Sequence, residues 1–445
     1  MRSEKHQMTL IASVSLLILS LIACMILKID LIFGLLIGMF AFMAAAMHSG
    51  ASLKAVLHMM WGGIRESFIV VGVLLIIGAM TGIWRGCGTI PLLVVYGTEL
   101  IHPKLFVLFA FLLPAAISYL IGTSFGTAAS IGLVMMTLCR MSGADPVITA
   151  GAVMSGIFFG DRASPASSCA MLNAYLTHTE IYRNVRIMLK DCIPAALITA
   201  GLYTVLSFLN PLQTMDTHIL AGFRAEFVLS PLLLIPALVI LAAPLVRMNI
   251  RLAMGFSILS ASILAVTLQK MPLSELLRTI LLGYEAKGEL ETLISGGGVM
   301  SMVHSCLMII VSATFSGIFN ETQMLSAAEK PLEKLSEKLS VFQMTALTGI
   351  PMIMFSCNQT LALMLHVPLI RPVYRKNNID NEQMMLDLAN TTVLFSPLIP
   401  WCIAGSTPIE MIGGSAVCLP LAFYLYMPAL VSLYRDLKRT KIQKQ

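Results

Sequence analysis

Charge is what this sequence has least of. Only 12% of its 445 residues are Asp, Glu, Lys or Arg, against about a quarter in soluble globular proteins. So little charge cannot clothe a water-soluble surface, which excludes a soluble enzyme and a nucleic-acid binder. The nine cysteines (Cys24, Cys87, Cys139, Cys169, Cys192, Cys306, Cys357, Cys402 and Cys418) include no CxxC or other metal spacing and fall mostly within apolar runs. That excludes a disulfide scaffold and a cysteine metal site, and leaves them as packing residues. No polar stretch is long enough to fold as a soluble domain.

What is present is apolar sequence, 57% of the chain, in runs long enough to cross a hydrocarbon layer of about 30 Å. Full crossings are expected near 8–27, 30–47, 66–84, 145–176, 191–208, 225–244, 250–268, 299–318, 384–415 and 416–433. Leu21-Ile22-Ala23-Cys24 loosely resembles a lipoprotein cleavage box, but the run is of spanning length and further spans follow, so it reads as a retained helix.

Two apolar segments are interrupted in the middle. Residues 105–140 carry Gly122-Thr123-Ser124-Phe125-Gly126-Thr127, and residues 341–373 carry Ser356-Cys357-Asn358-Gln359-Thr360. Both are expected to be re-entrant hairpins, since irregular polar backbone at membrane depth is tolerated only against protein or a wet cavity. With the hairpins on opposite faces and both termini in the cytoplasm, most of the 29 Lys and Arg lie inside. The net charge of +6 then marks orientation and needs no nucleic acid.

The halves of the chain resemble each other. Thr81-Gly82-Ile83-Trp84 matches Ser316-Gly317-Ile318-Phe319 at an offset of 235 residues, while Ser124 pairs with Ser356 and Ser164-Pro165 with Ser396-Pro397 at 232. Each half holds five spans, one re-entrant hairpin and one broken helix, and an odd number of spans inverts the second copy, a signature of secondary transporters. The fold expected is therefore an all-α polytopic membrane protein of two inverted repeats. Residues 1–104 and 216–340 form its scaffold halves, and 105–215 and 341–445 its transport halves, the last ending in a basic cytoplasmic tail. The connectors 86–104 and 320–340 join span to hairpin. The second places Leu332, Leu335 and Leu339 on one side of a charged segment, equally a surface helix or a loop.

The residues expected to carry chemistry cluster at the interruptions. In Gly160-Asp161-Arg162-Ala163-Ser164-Pro165-Ala166-Ser167-Ser168 the proline should break the helix, with Ser164 as N-cap of a new half-helix, and Ser396-Pro397 should do the same in the second half. Half-helix N-termini offer N–H groups to an anion, and the preceding C-termini offer carbonyls to a cation. Asp161 beside Arg162 within a span is costly and thus a functional candidate, although the pair would also serve to bridge helices. One carboxylate that binds Na⁺ transiently or a proton, never both, is the simplest antiport chemistry. The candidate ion- or substrate-binding set is Asp161, Arg162, Ser164, Ser167 and Ser168, with Thr123, Ser124 and Thr127 at the first hairpin. From the second half come Asn358, Gln359, Thr360, Asn390, Thr391, Thr392 and Ser396, with Asp387 close by; amides and hydroxyls bind ions or solutes without a buried charge, and equally link helices. Gly34 with Gly38, Gly78 with Gly82, and Gly156 with Gly160 have the spacing of close helix approach.

Gly122-x-Ser124-x-Gly126 also fits the serine-hydrolase elbow, making an intramembrane hydrolase the reading of a different class. That elbow belongs between a strand and a helix, and Ser356 lacks the flanking glycines. His304 reads as the only histidine deep in a full crossing, a proton carrier or a hydrogen-bonded packing residue.

Taken together, GTSFGT at 122–127, FGDRASPAS at 159–167, IYRNVRIMLKDCIP at 181–194 and SPLIPW at 396–401 resemble the NhaC-type Na⁺/H⁺ antiporter family over nearly the whole chain. The resemblance implies a bacterial inner-membrane secondary transporter, often a homodimer, whose hairpins and broken helices move against a scaffold by alternating access. It implies no cofactor and no enzymatic activity. The sequence departs from the family where members commonly have Gly-Asp-Lys, here Gly160-Asp161-Arg162, where they often have Ser-Asp-Thr-Thr, here Ser167-Ser168-Cys169-Ala170, and where an acidic pair is replaced by Ala389-Asn390. Some relatives exchange organic acids or amino acids with H⁺ or Na⁺, so a small carboxylate or amino acid is the alternative solute, with Arg162 either as its anchor or as a regulator of Asp161.

Overall fold

The computed structural model describes residues 2–27, 29–100, 102–211, 217–242, 248, 250–286, 290–322 and 339–443. The described chain is helical, with a single two-residue bridge, Tyr284 to Gly296, in place of any strand. It opens with α1 (Arg2–Leu27) and α2 (Leu31–His48), joined by Asp30, whose carboxylate caps α2 through the Ile32 N–H. The long α3 (Leu53–Gly86) follows, capped by Ser52. Next comes α4 (Thr89–Leu100), bent from α3 by 68°. Its Ile90, Val94 and Val95 are buried, so the stretch read as a connector is part of the core.

The first hairpin is α5 (Phe106–Ile121) and a returning helix built of α6 (Ser124–Thr127), a π turn (Ala128–Gly132) and α7 (Leu133–Met141). Asp145 and Pro146 then start α8 (Pro146–Ala163), the acid capping two N–H groups and the proline occupying the position that needs none. After the break come α9 (Ser168–Thr177) and α10 (Ile181–Leu209). The middle of the chain supplies α11 (Thr217–Glu226), α12 (Ile235–Ala242), α13 (Ile250–Thr267), α14 (Leu273–Leu282), the short α15 (Glu291–Ile294) and α16 (Val303–Thr322). Between the crossings expected at 250–268 and 299–318, α14 packs beside α3, where the Thr279 carbonyl meets Gly82. The proposed surface helix at 320–340 lies almost wholly outside the described residues.

The second hairpin is α17 (Val341–Ser356), opened by a Ser340–Gln343 capping box, and α18 (Gln359–Lys376). It is followed by α19 (Asn381–Leu388), a π turn (Ala389–Val393), a 3₁₀ turn (Ser396–Leu398) and α20 (Ile403–Met411), the last bent by 55° from the run before it. The span expected at 416–433 is not one helix. Two 3₁₀ pieces (Ala416–Leu421 and Phe423–Leu425) precede α21 (Met427–Gln443), because Pro420 can donate no hydrogen bond and interrupts the ladder.

By length and apolarity three described helical stretches qualify alone as membrane crossings (Leu31–His48, Pro103–Ile121 and Ile181–Leu209), or up to five if each bent pair counts once. Other expected crossings contain shorter apolar helices, among them Ser15–Cys24, Pro231–Ile240, Arg251–Thr267 and Val299–Phe315.

Element boundaries recur at one offset. The helix starts Phe106 and Val341, Ser124 and Gln359, Pro146 and Asn381, Ser168 and Ile403, and Ile181 and Ala416 are each separated by 235 residues. The offset seen at Thr81 therefore runs through both hairpins and both breaks. It pairs Ser124 with Gln359, Asp161 with Ser396 and Pro165 with Pro400, where matching by residue type had paired serines at 232.

Close packing of α5 on α8 holds the first break in place. Gly156 admits the Phe111 carbonyl, and the site where Gly160 would carry a Cβ is filled by the Ser118 backbone. Gly160→Ala should therefore push α8 away from α5, costing about 1–3 kcal/mol as overpacking. The thermal unfolding midpoint in detergent should fall, and an unaltered midpoint would contradict this packing.

Candidate functional site

Each hairpin ends in the same two-residue turn. Gly122 is left-handed (φ 73°, ψ 21°) and Thr123 extended (φ −143°, ψ 130°); Cys357 is left-handed (φ 54°, ψ 9°) and Asn358 extended (φ −145°, ψ 127°). A left-handed residue ends the incoming helix and an extended one caps the outgoing helix. Gly122 supplies this conformation freely, and its missing Cβ makes room for the backbone of Ala166 and Ser167 at the first break. In the second half the Cys357 carbonyl accepts the Ile403 N–H at 2.9 Å. Each tip thus sits against the break of its own half.

The breaks differ from the sequence expectation in detail. Ser164 is extended and buried, and its hydroxyl accepts from the Ala166 N–H, but it is not the helix cap. The cap of α9 is Ser167, which accepts from the N–H groups of Cys169 (3.1 Å) and Ala170 (3.2 Å) and donates to the Asp161 carbonyl (2.5 Å). One hydroxyl therefore ties together the two half-helix ends. The cap falls three residues late because Pro165 and Ala166 form a turn closed by the Ser167 N–H on the Ser164 carbonyl. Ser396-Pro397 likewise caps no half-helix. It prolongs the first segment as a 3₁₀ turn, Ser396 donates to the Thr392 carbonyl, and α20 begins only at Ile403, beyond Pro400.

Asp161 is buried at the C-terminal end of α8. Its carboxylate meets the Ser167 hydroxyl at 3.4 Å, and the Ser124 backbone and the Gln359 side chain lie against it. Gln359 also donates to the Val393 carbonyl at 3.0 Å, beside the second break. Residues from both hairpin tips and one break thus converge on one acid. The hard oxygen and amide groups around it suit Na⁺, and the carboxylate suits a proton.

Arg162 has other partners. Fully buried, it donates to Asn390 Oδ1 through Nε (3.1 Å) and Nη2, and through Nη1 to the Met188 carbonyl (3.3 Å) and the Tyr424 hydroxyl (3.5 Å). It pairs with Asp191 at 3.5 Å, which also pairs with Arg435. Asn390 donates to Asp191 (2.9 Å) and Ser432 (3.0 Å). Ser432, Arg435 and Asp436 of α21 thereby reach Asn390, Asp191 and the Ser340 cap of α17 respectively. The guanidinium thus joins α8, α10 and the second broken helix.

The remaining candidates scatter. Asn358 spends its side chain capping α18, and Thr127 and Thr391 donate to carbonyls four residues back. Ser168 and Thr360 are exposed. Ser124 opens the first turn of a helix within a helical hairpin, with no strand beside it among the described residues, so it does not form a hydrolase elbow.

His304 is not the buried histidine. It is half-exposed, 2.7 Å from Asp30 and 3.8 Å from Glu410. Among the described residues the buried imidazole is His366 of α18, held between the hydroxyls of Thr348 and Thr392, each at 2.7 Å. Its only trace in the sequence is a lone histidine within the second hairpin's apolar run, which had not been counted as a full crossing.

Residues 4–180 and 156–434 match the model of a family described as the Na⁺/H⁺ antiporter family. The chain is 28% identical to a malate-2H⁺/Na⁺-lactate antiporter of Bacillus subtilis, over 86% of this chain and 83% of that protein. It is 26% identical to the Na⁺/H⁺ antiporter NhaC of Alkalihalophilus pseudofirmus, over 83% and 81%. It is 24% identical to the arginine/ornithine antiporter ArcD of Halobacterium salinarum, over 82% and 77%.

Proposed function

Because the chain belongs to the Na⁺/H⁺ antiporter family, we propose that it exchanges Na⁺ for H⁺ across a bacterial inner membrane by alternating access, with Asp161 as the carboxylate both ions share. The observation that carries this reading is the position of Asp161, buried where both hairpin tips and the first break converge. Ser167, Ser124 and Gln359 complete its surroundings. A carboxylate with neutral neighbours has to release one cation before it accepts the other, and that alternation couples their fluxes.

The constant 235-residue register supports two repeats, inverted with respect to each other, whose hairpins and breaks (105–215 and 341–445) move as a transport unit against the scaffold (1–104 and 216–340). Cytoplasmic termini and a homodimer complete the reading. Proteoliposomes loaded with Na⁺ and a pH-sensitive dye test it: imposing a Na⁺ gradient should move protons in the opposite direction, and an unchanged lumenal pH under both gradient directions would refute Na⁺/H⁺ exchange.

A second reading, exchange of a small carboxylate or amino acid with H⁺ or Na⁺, draws on the names of two relatives, the malate-2H⁺/Na⁺-lactate antiporter and the arginine/ornithine antiporter. It requires Arg162 to exchange its Asp191 and Asn390 partners for the solute. Uptake of labelled carboxylates and amino acids into the same vesicles separates the readings.

A further inference from the structure

Asp387 lies in α19, 4% exposed, and its two oxygens have separate neutral partners. Oδ1 accepts from Gln383 Nε2 at 2.8 Å and Oδ2 lies 2.7 Å from the Tyr374 hydroxyl of α18. That hydroxyl is 2.9 Å from Thr345 Oγ1 of α17, which is 2.9 Å from the Val341 carbonyl. Tyr374 and Thr345 are themselves buried. A single chain of hydroxyls therefore runs from the acid through both arms of the second hairpin.

The ion pairs among the described residues do not include Asp387. The charged groups facing it are further acids, Asp191 of α10 and Asp436 of α21. Arg162 and Arg435 spend their charge on Asp191, and His366 on α18 is held by Thr348 and Thr392.

We propose that Asp387 is a second proton-binding carboxyl, whose protonation reverses the hydroxyl chain and ties α17 to α18. This rests on reading the chain as a proton exchanger. With Asp387 protonated, its O–H donates to Tyr374, Tyr374 donates to Thr345, and Thr345 donates to the Val341 carbonyl, so every hydroxyl hydrogen has an acceptor. With Asp387 ionised, Tyr374 turns its one hydrogen to the carboxylate, and the link to Thr345 survives only if Thr345 leaves Val341. Binding or loss of one proton thus makes or weakens the contact between the hairpin arms. The proton is the only species gained or lost, and no other covalent bond changes.

Infrared pH-difference spectra of the full chain in lipid, in the C=O stretch region of protonated carboxyls, test this without any transport. Asp387→Asn should remove one titrating band, Tyr374→Phe should shift that band's frequency, and Asp161→Asn should leave it in place. Difference spectra of Asp387→Asn identical to those of the parent, or a band that Tyr374→Phe does not move, would overturn the proposal. In vesicles, the reversal potential should report fewer protons per cycle for Asp387→Asn than for the parent. If the parent shows the band but moves no protons against Na⁺, the exchange reading fails while the proton site stands.

Discussion

Asp161→Asn should reduce Na⁺-driven proton movement to the level of protein-free vesicles. The amide is nearly isosteric and can still meet the Ser167 hydroxyl and the Gln359 side chain, so expression and elution as a folded species should match the parent. What it loses is the ability to be ionised and then neutralised. If coupling depends on one group alternating between cation and proton, no conformational change can restore exchange without it. Asp161→Glu is the companion variant: it keeps the charge but displaces it by one methylene, and partial exchange is expected. Full coupled exchange by Asp161→Asn in the dye assay would remove Asp161 from the mechanism.

Arg162→Ala should have the largest effect on stability. Its fully buried guanidinium satisfies Asn390, the Met188 carbonyl and Tyr424 and offsets Asp191. Truncation strands these groups in a low-dielectric interior, and breaking such a buried pair costs about 3–5 kcal/mol. The second broken helix and α10 would lose their common tie to α8. A large drop in thermal midpoint in detergent is expected, with less monodisperse protein. Arg162→Lys should recover only part of this, because an ammonium cannot fork between Asn390 and Asp191 as a guanidinium does. A midpoint for Arg162→Ala equal to the parent's would show that the network contributes nothing to stability.

Much of this arrangement was legible because backbone chemistry is local. Glycine and polar residues inside apolar runs located both hairpin tips, at Gly122-Thr123 and Cys357-Asn358. The breaks were located too, but their caps were not. A Ser-Pro pair can open a helix or close a 3₁₀ turn, and the choice at 396–397 depends on Pro400 and on what the tip of the second hairpin presents to Ile403. The partners of Arg162 were illegible, since neighbouring positions on a helix point in different directions and the sequence does not say which element lies in each. Residue identity also misled the internal comparison: serines matched at 232, whereas helix boundaries, set by caps and prolines, hold to 235. His366 was missed for a related reason, a helix within a hairpin having been weighed as less deep than a crossing, yet its imidazole is buried.

At the constant register, Asp161 stands opposite Ser396 in the other half, and Asp387 stands opposite Ala152. Asp161 and Asp387 are the buried acids among the described residues, one in each half, at positions that this register does not superimpose. The two halves share helix boundaries at that register but not their buried charge. A mirrored cycle, in which the halves trade duties as the molecule turns from one face to the other, would find a hydroxyl or a methyl where it needed an acid.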